Sequence, residues 1–287
     1  MNGKLKMLMS EFHMDEADGV FSAIVPTRSH QSDEIKMRQK VASLQYNNYL
    51  NTIAQSHSIP VMDDEVKRFL SMIPKGGLIL DVGGCWGWHW RKLLTQRPDV
   101  GVVIVDFVRE NFHHAKCLLN EMIGGQVVLM HADATQLPFK DADKTKTPFD
   151  AVWSVQTFQH IPDFNSAVSE VFRVLKCGGV FSTYSLHRTP LNKFIYRLFG
   201  KRMHTDGDYV GMYLLNRASD AQLEIVSQTF REGKVIDRYT ECLFHPDLKL
   251  GFTGKENSML GRLDVLLTDS VLGKWIARQR SFEVRKK

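Results

Sequence analysis

Short runs of apolar, mostly β-branched residues alternate with longer stretches of helical period from residue 78 onward. The runs predict strands at 78–82, 101–106, 126–133, 149–155 and 179–186. Between the strands, apolar residues recur at helical spacing at 90–96, 108–123 and 165–175. The last three strands mostly lack polar alternation, as expected where helices cover both faces of a sheet. The pattern therefore predicts an α/β fold with a mostly parallel, doubly wound sheet.

The regions on either side of this core have weaker patterns. Residues 1–30 show no clear period, whereas 31–56 and 63–73 carry apolar residues at helical spacing. Beyond residue 186, the predicted elements are a helix at 219–230, a strand at 235–242, a helical run at 256–277 and a strand at 281–285. We therefore expect an N-terminal helical extension over 1–60 and a main domain over 61–287, in which 187–215 form a lid over the substrate.

Composition narrows the class of protein. The chain has 287 residues, 43% of them hydrophobic, which is enough for a sizeable core. No apolar stretch approaches the roughly 20 residues of a membrane-spanning helix, and no signal peptide is visible at the N-terminus. The four cysteines form no CxxC pair, so no metal site is predicted. These features predict a soluble cytoplasmic protein. Its oligomeric state is left open.

A glycine-rich turn follows the first predicted strand, where the sequence LILDV runs into GGCWGWHW. Turns of this kind bind either dinucleotides or S-adenosylmethionine, because glycine lets the backbone approach a ligand closely. The dinucleotide pattern GxGxxG fails, since Cys85 and Trp88 stand where glycines are required. The S-adenosylmethionine pattern D/ExGxGxG matches at Asp81, Gly83 and Gly87 but has Cys85 at its middle glycine, with Gly84 adding backbone freedom nearby.

Two further acids stand at the ends of the next two predicted strands. Asp106 ends the second strand, where a carboxylate accepts both ribose hydroxyls of an adenosine. Asp133 follows the third strand in the sequence HADATQLPF. There, a side-chain acceptor and the next backbone N–H can read the edge of an adenine. Because these acids follow successive strands, the turn and the acids together favour an adenosine-containing ligand.

The segments LILDVGGCWG, VVIVDFVRENFHHAK, HADATQLPF, FDAVWSVQTFQHIPD and RVLKCGGVF occur in this order along the chain. They resemble the successive motifs of class I methyltransferases, in the group that includes ubiquinone- and menaquinone-biosynthesis methylases. The resemblance covers roughly residues 63–186. It implies a Rossmann-like fold of seven strands with the last antiparallel, and S-adenosylmethionine as the methyl donor.

The resemblance also assigns roles to individual residues. It implies that Asp81 and the turn of Gly83, Gly84, Cys85 and Gly87 hold the methionine portion of the donor, and that Asp106 holds the ribose. It places Phe107 against one face of the adenine and Asp133 with Ala134 at its edge, and it counts Ser154 and Val155 with the donor-binding residues. Two departures stand out: Cys85 replaces a glycine, and Cys177 replaces a common proline. A side chain at position 85 is expected to crowd the donor's carboxylate.

Three residues are candidates for the catalytic side of the site. His160 falls at the expected rim, where an imidazole can remove a proton from a hydroxyl or amine acceptor, although a structural role is the alternative. Tyr184 and His187 stand at the end of the fifth strand, the edge at which ligands bind in open α/β sheets. A tyrosine of the ordinary core is the alternative for Tyr184.

The stretch from Arg188 to Arg202 carries five cations and no acid, interleaved with an apolar stripe that includes Phe194 and Leu198. A solvated helix is the ordinary explanation. The sharper hypothesis is a lid over the substrate that grips an anionic acceptor or makes peripheral contact with a membrane supplying a lipid acceptor. Nucleic acid is not expected as a partner, because a formal net charge of +5 is mild for this length.

Together these features predict an S-adenosylmethionine-dependent methyltransferase acting on a small-molecule acceptor, without a metal. Two alternatives stay open: a methyltransferase of RNA or protein, and a catalytically silent donor-binding partner of another enzyme. The first alternative is weakened because SVQTFQH follows the fourth strand, in place of the [DN]PP[YF] turn of nucleic-acid amino methylases. The second rests on Cys85 alone.

Overall fold

The computed structural model describes residues 2–23, 36, 39–40, 42–200, 218–246 and 254–287. Within these residues, nine strands form one sheet. They are β1 (Met14–Asp15), β2 (Val20–Ser22), β3 (Leu78–Val82), β4 (Gly101–Asp106), β5 (Val127–His131), β6 (Phe149–Val155), β7 (Leu175–Leu186), β8 (Ile236–Thr240) and β9 (Gln279–Arg285).

The sheet has the order β1-β2-β5-β4-β3-β6-β7-β9-β8. Strands β5, β4, β3, β6 and β7 are mutually parallel, and β9 runs antiparallel between β7 and β8. This confirms the predicted mostly parallel α/β sheet and its antiparallel last strand. The predicted count of seven was too low, because β1 and β2 add a hairpin beside β5. Strands of two and three residues are too short to show a period in the sequence.

Helices cover both faces of the sheet. The α-helices whose full bounds lie within the described residues are Gly3–Met9, Tyr49–Ile53, Ile59–Ser71, Leu93–Gln96, Asn111–Leu119, Phe164–Val174, Pro190–Leu198, Asp220–Thr229, Met259–Leu267 and Gly273–Ile276. The helix predicted at 63–73 begins earlier, at Ile59, because Pro60 fits the first helical turn. The runs predicted at 90–96 and 256–277 are both interrupted, the first by a 3₁₀ turn at Trp88–Trp90.

Alternate residues of each central strand enter two separate cores. Leu80 and Val103 belong to the core beneath the helix Phe164–Val174, whereas Ile79 and Ile104 belong to the core beneath the helix Ile59–Ser71. The strands are therefore apolar on both faces, as their sequences predicted. We call the second face, which also carries Asp81, the Asp81 face.

Several predicted elements lie partly outside the described residues. Of the helical stretch 31–56, the structure describes the helix Tyr49–Ile53 and the residues around it. Of the lid predicted at 187–215, it describes 187–200, which contain the helix Pro190–Leu198. The domain boundaries and the lid therefore stay predictions. No helix in the described part of the chain is long and apolar enough to cross a membrane.

Candidate functional site

The glycine-rich turn folds back over the end of β4. The amide nitrogens of Gly83 and Gly84 donate to the carbonyl oxygen of Val105, at 2.7 and 3.3 Å. Gly83, Cys85 and Gly87 all have left-handed backbone conformations, with φ of 69°, 51° and 65°. A Cβ atom at Gly84 would overlap the carboxylate of Asp81. The turn therefore requires glycine for two separate reasons, and Cys85 adopts a conformation that favours glycine.

Asp81 lies beneath this turn, buried in β3. Its Oδ2 atom accepts a hydrogen bond from Nε1 of Trp90 at 2.7 Å. Burial raises the pKa of Asp81 to about 7, against the opposing effect of that hydrogen bond, and the nearby charge of Asp106 adds to the rise. The carboxyl group is consequently poised to change charge near neutral pH.

Asp106, at the end of β4, fixes the turn to the neighbouring strand. Its Oδ2 atom accepts from the amide of Cys85 at 2.9 Å, and its Oδ1 atom accepts from the amide of Val108 and from Nδ2 of Asn111. The residue predicted to hold a ribose is thus also the residue that positions the turn. A ribose bound here would share the carboxylate with these donors.

Asp133 lies just beyond the end of β5 and is buried. Its Oδ1 atom accepts from the amide and the hydroxyl of Thr135, both at 2.8 Å. Its Oδ2 atom is buried and has no hydrogen-bond partner in the structure. A buried carboxylate oxygen without a donor costs free energy, so its position fits an N–H group supplied by a ligand. Phe107 and Ala134 are half-buried close by in the chain.

Comparisons with known proteins agree with this arrangement. The family model for the methyltransferase domain matches residues 80–183, which span β3 to most of β7. Sterol 24-C-methyltransferase of Eremothecium gossypii is 33% identical over 115 residues, which cover 39% of this chain and 29% of that protein. Dimethylglycine N-methyltransferase of Parasynechococcus marenigrum is 32% identical over 111 residues, which cover 38% of this chain and 37% of that protein.

Residues 80–183 therefore resemble a methyltransferase domain in sequence. The matched stretches cover well under half of the length of each relative. Among solved structures, the [4+2]-cyclase SpnF aligns with 92% of this chain and 99% of that chain at a TM-score of 0.57 and 16% identity. Phosphoethanolamine N-methyltransferase 2 of Haemonchus contortus, with bound S-adenosyl-L-methionine, aligns with 78% of this chain and 52% of that chain at a TM-score of 0.51 and 18% identity. These likenesses show the fold.

The end of β6 closes the candidate site on its other side. The hydroxyl of Ser154 donates to the carbonyl oxygen of Val82 at 2.8 Å, while Val155 is half-buried. Thr157, which sequence reasoning missed, donates from its hydroxyl to the carbonyl oxygen of Gly83 at 3.1 Å. Its side chain fills the space that a Cβ atom at Gly83 would need. No sequence pattern marks Thr157, because the contact joins residues 74 positions apart.

The structure separates the three catalytic candidates. His160 is half-exposed on the turn after β6, where its Nε2 atom lies 3.1 Å from Nε2 of Gln159. Tyr184 is fully buried, and its hydroxyl donates to Oε2 of Glu65 at 2.6 Å, so it is a core residue. His187 is half-buried with its ring 5.6 Å from that of Tyr239, beside β8. Of the three, His160 is the candidate that lies on the turn directly after β6.

An aromatic cluster covers the turn from the N-terminal side. The ring of Trp86 lies 4.7 Å from that of Tyr46, 5.5 Å from that of Tyr49 and 4.9 Å from that of His114. The hydroxyl of Tyr49 lies 3.1 Å from Nδ1 of His114. Burial raises the pKa of Tyr49 to about 12, so this hydroxyl keeps its proton. The cluster attaches the segment before β3 to the turn, a link that the sequence did not reveal.

Proposed function

We propose that this chain binds S-adenosylmethionine and transfers its methyl group to a small-molecule acceptor. The observation that carries the proposal is the buried, unpartnered Oδ2 atom of Asp133, at the strand end where the adenine edge is expected. The sterol and dimethylglycine named for two relatives support an acceptor of small size. The narrower likeness to ubiquinone- and menaquinone-biosynthesis methylases stays a prediction.

The residues of the site have distinct tasks under this proposal. Asp106 holds the ribose and Asp133 with Ala134 the adenine edge, while Phe107 covers one adenine face. Asp81 and the turn from Gly83 to Gly87 hold the methionine portion, with Ser154 and Val155 closing the site. S-adenosylmethionine supplies a methyl group activated by its positive sulfur. The protein therefore needs mainly to align the acceptor and to keep water out.

His160 is the proposed base when the acceptor is a hydroxyl. It lies on the turn that follows the carboxyl end of β6 and is partly exposed. The change His160→Gln is expected to lower turnover with hydroxyl acceptors by about 10²-fold or more, because general base catalysis contributes on that order. Donor affinity should be unchanged. A variant with full turnover would remove His160 from the mechanism.

Calorimetry tests donor binding directly. The wild-type chain should bind both S-adenosylmethionine and S-adenosylhomocysteine. Asp133→Asn should weaken both by about 10- to 100-fold, because the amide keeps the contacts to Thr135 but offers an N–H group to the adenine amino group. The exposed Asp143→Asn is the matched control. The absence of heat with either compound would refute the proposal.

Turnover is a separate question from binding. An assay for S-adenosylhomocysteine across a panel of alcohols, amines and quinols distinguishes a methyltransferase from a silent donor-binding partner. Turnover with a free small molecule supports the proposal. Donor binding without product on any small acceptor, but with product on RNA or protein, would favour the macromolecular alternative.

We further propose that the outer face of the helix Pro190–Leu198 makes peripheral contact with an anionic membrane. Asn192 and Tyr196 are buried on its inner face. On its outer face, Phe194, Leu198 and the following Phe199 are exposed by 62%, 72% and 59%. The segment around Trp275 lies next to the start of this helix, because the carbonyl oxygen of Trp275 accepts from the hydroxyl of Thr189 at 2.7 Å. The side chain of Trp275 is also 59% exposed.

Charge favours an anionic surface as the occupant of this face. Residues 188–200 contain Arg188, Lys193 and Arg197 and no acid, and residues 270–277 contain Lys274 and no acid. Exposed apolar side chains flanked by cations alone are typical of proteins that bind a lipid surface. The rest of the stretch predicted from sequence, 201–202, lies outside the described residues.

Vesicle co-sedimentation tests this contact. The chain should bind phosphatidylcholine vesicles that contain phosphatidylserine more tightly than vesicles without it. Phe194→Ser with Leu198→Ser should weaken binding by on the order of tenfold, which corresponds to about 1.4 kcal/mol. Leu94→Ser, at an exposed leucine on another helix, is the control. Equal binding of both vesicle types, or no effect of the double change, would contradict the proposal.

A further inference from the structure

Buried polar atoms without hydrogen-bond partners gather on the Asp81 face. They belong to seven residues, which are His57, Ser58, His89, Trp153, Thr240, Gln279 and Ser281. We call these seven residues the polar ring. The atoms are Nδ1 of His57, Oγ of Ser58, both ring nitrogens of His89, Nε1 of Trp153, Oγ1 of Thr240, both side-chain polar atoms of Gln279 and Oγ of Ser281.

Contacts connect the first part of the polar ring. The ring centroids of His57 and His89 lie 6.3 Å apart, and those of His89 and Trp153 lie 5.8 Å apart. Trp153 lies against Tyr184 at 4.8 Å, and Tyr184 is paired with Ser281 across β7 and β9. The histidines and Ser281 therefore border the same region of the sheet.

Contacts on β8 and β9 close the polar ring. Gln279 lies two residues before Ser281 in β9, and so on the same face of the sheet, and it is paired with Thr240 of β8. The next residue, Glu241, accepts at Oε1 from the amide of Ser58 at 2.7 Å, which leads back to His57. Unpartnered buried polar atoms are rare in native proteins, and each costs about 1–3 kcal/mol. Their concentration around one closed path indicates a place where a polar ligand completes the hydrogen bonds.

The polar ring adjoins the proposed donor site. His89 stands two positions after Gly87, the last glycine of the turn, and Trp153 directly precedes Ser154. The polar ring also adjoins the helix Pro190–Leu198, since Asn192 of that helix donates to the carbonyl oxygen of Ala277 at 3.1 Å, two residues before Gln279. The position between the donor turn and this helix suits the acceptor.

The charges around the polar ring are compensated within the described part of the chain. Glu241 is fully buried and pairs with Arg278 at 2.6 Å. Arg91, beside His89, pairs with Asp63 at 2.7 Å and with Glu256 at 3.0 Å. Burial lowers the pKa of His57 to about 3 and that of His89 well below its usual range, so both imidazoles are neutral near pH 7. Glu241 and Arg91 therefore already have partners of opposite charge.

The geometry points to the polar ring as the binding site for an uncharged, hydroxyl-bearing part of the methyl acceptor. Each neutral imidazole offers one donor and one acceptor, and the hydroxyls and the amide also offer both. A hydroxyl group, which donates and accepts, complements this mixture. A carboxylate only accepts and an ammonium group only donates, and each would bring an unpaired charge into a buried site. The inference rests on the proposed methyltransferase function.

Three eight-carbon probes of different charge test the inference. The full chain is titrated with 1-octanol, octanoate or octylammonium, with S-adenosylhomocysteine present and absent, and the fluorescence of Trp153 and its neighbours is followed. We expect 1-octanol to bind at least tenfold more tightly than either charged probe. His89→Phe should weaken 1-octanol binding at least tenfold, whereas His13→Phe, at an exposed histidine, should not. Equal binding of the three probes, or an unchanged affinity in His89→Phe, would overturn the inference.

Two further measurements keep the outcomes distinct. If His89→Phe does not fold, Gln279→Leu replaces it as a second variant of the polar ring. Loss of 1-octanol binding in that variant supports the polar ring, and full binding refutes it. Calorimetry with S-adenosylhomocysteine reports the donor site separately. A chain that binds 1-octanol but not S-adenosylhomocysteine would refute the proposed function and leave the polar ring as a hydroxyl-binding site.

Discussion

The carboxylate of Glu65 links the helix Ile59–Ser71 to strands β7 and β8, and its removal should be strongly destabilising. Glu65 is 1% exposed. It accepts from the hydroxyl of Tyr184 at 2.6 Å, from Nη2 of Arg238 at 3.0 Å and from Nη2 of Arg68 at 3.1 Å. One side chain thus compensates two guanidinium groups and one buried hydroxyl.

The expected loss in the free energy of unfolding depends on which hydrogen-bond and ion-pair partners remain after the change. In Glu65→Gln, Arg68 retains Glu283 at 2.7 Å and Arg238 retains Asp269 at 2.6 Å, and the amide oxygen can still accept from the hydroxyl of Tyr184. Breaking a buried ion pair typically costs about 3–5 kcal/mol. Because these partners remain, we expect Glu65→Gln to lower the free energy of unfolding by about 3 kcal/mol, near the lower end of that range. That is a large fraction of the roughly 5–15 kcal/mol that stabilises a domain.

Urea unfolding checks this value through the shift in midpoint at constant slope. Glu224→Gln, at an exposed helix position, is the control and should change stability by about 0.5 kcal/mol or less. The Arg238 guanidinium holds the pKa of Glu65 below its usual value in spite of burial. The stabilisation by Glu65 is therefore present above pH 4.5 and is lost as pH falls through the depressed pKa of the folded state. A loss below 1 kcal/mol at pH 7, or one that does not shrink in acid, would refute the reasoning.

Three more predictions concern the turn and its acids. Cys85→Gly should be more stable than Cys85→Ala by about 1 kcal/mol in urea unfolding, because φ at this position is 51°, and the opposite order would contradict a left-handed residue there. The wild type should lose stability between about pH 4 and about pH 7, because folded Asp81 keeps a proton that the unfolded chain releases. Asp81→Asn should remove this loss. The same change in the free energy of unfolding between pH 4 and pH 7 in both proteins would contradict the prediction. Gly84→Ala should lower donor affinity by at least tenfold in calorimetry, since its Cβ atom would overlap the carboxylate of Asp81, and unchanged affinity would show that the turn adapts.

Local sequence was sufficient to predict the strands that carry the site. β3, β4 and β6 all have the predicted bounds, and the apolar runs of β3 and β4 end at Gly83 and Asp106, which mark their ends within the local sequence. Asp81, Asp106 and Asp133 stand at or just beyond the ends of three neighbouring strands for the same reason.

Contacts between distant residues were not predictable in this way. Three such contacts depend on how helices, strands and loops pack together. They are the hydrogen bond from Trp90 to Asp81, the ring contact of Tyr46 with Trp86 and the ring contact of His57 with His89. Tyr184 illustrates the difference: its position at a strand end was visible, but its orientation toward Glu65 depends on a helix 119 residues earlier. Sequence periodicity identifies the face of an element, whereas the partner on that face is set by the tertiary fold.

The hairpin of β1 and β2 has a consequence for association between copies of the chain. Without it, the five residues of β5 would end the sheet and offer a row of unpaired amide and carbonyl groups to another molecule. β2 occupies that row, and the outermost strand is then β1, with two residues. Arg109 holds the hairpin through Asp15 and Asp18 at 2.7 and 2.8 Å. The opposite border, β8, carries the charged side chains of Asp237 and Arg238. Both borders are thus poor templates for adding a foreign strand, so the sheet resists growth into fibrillar aggregates.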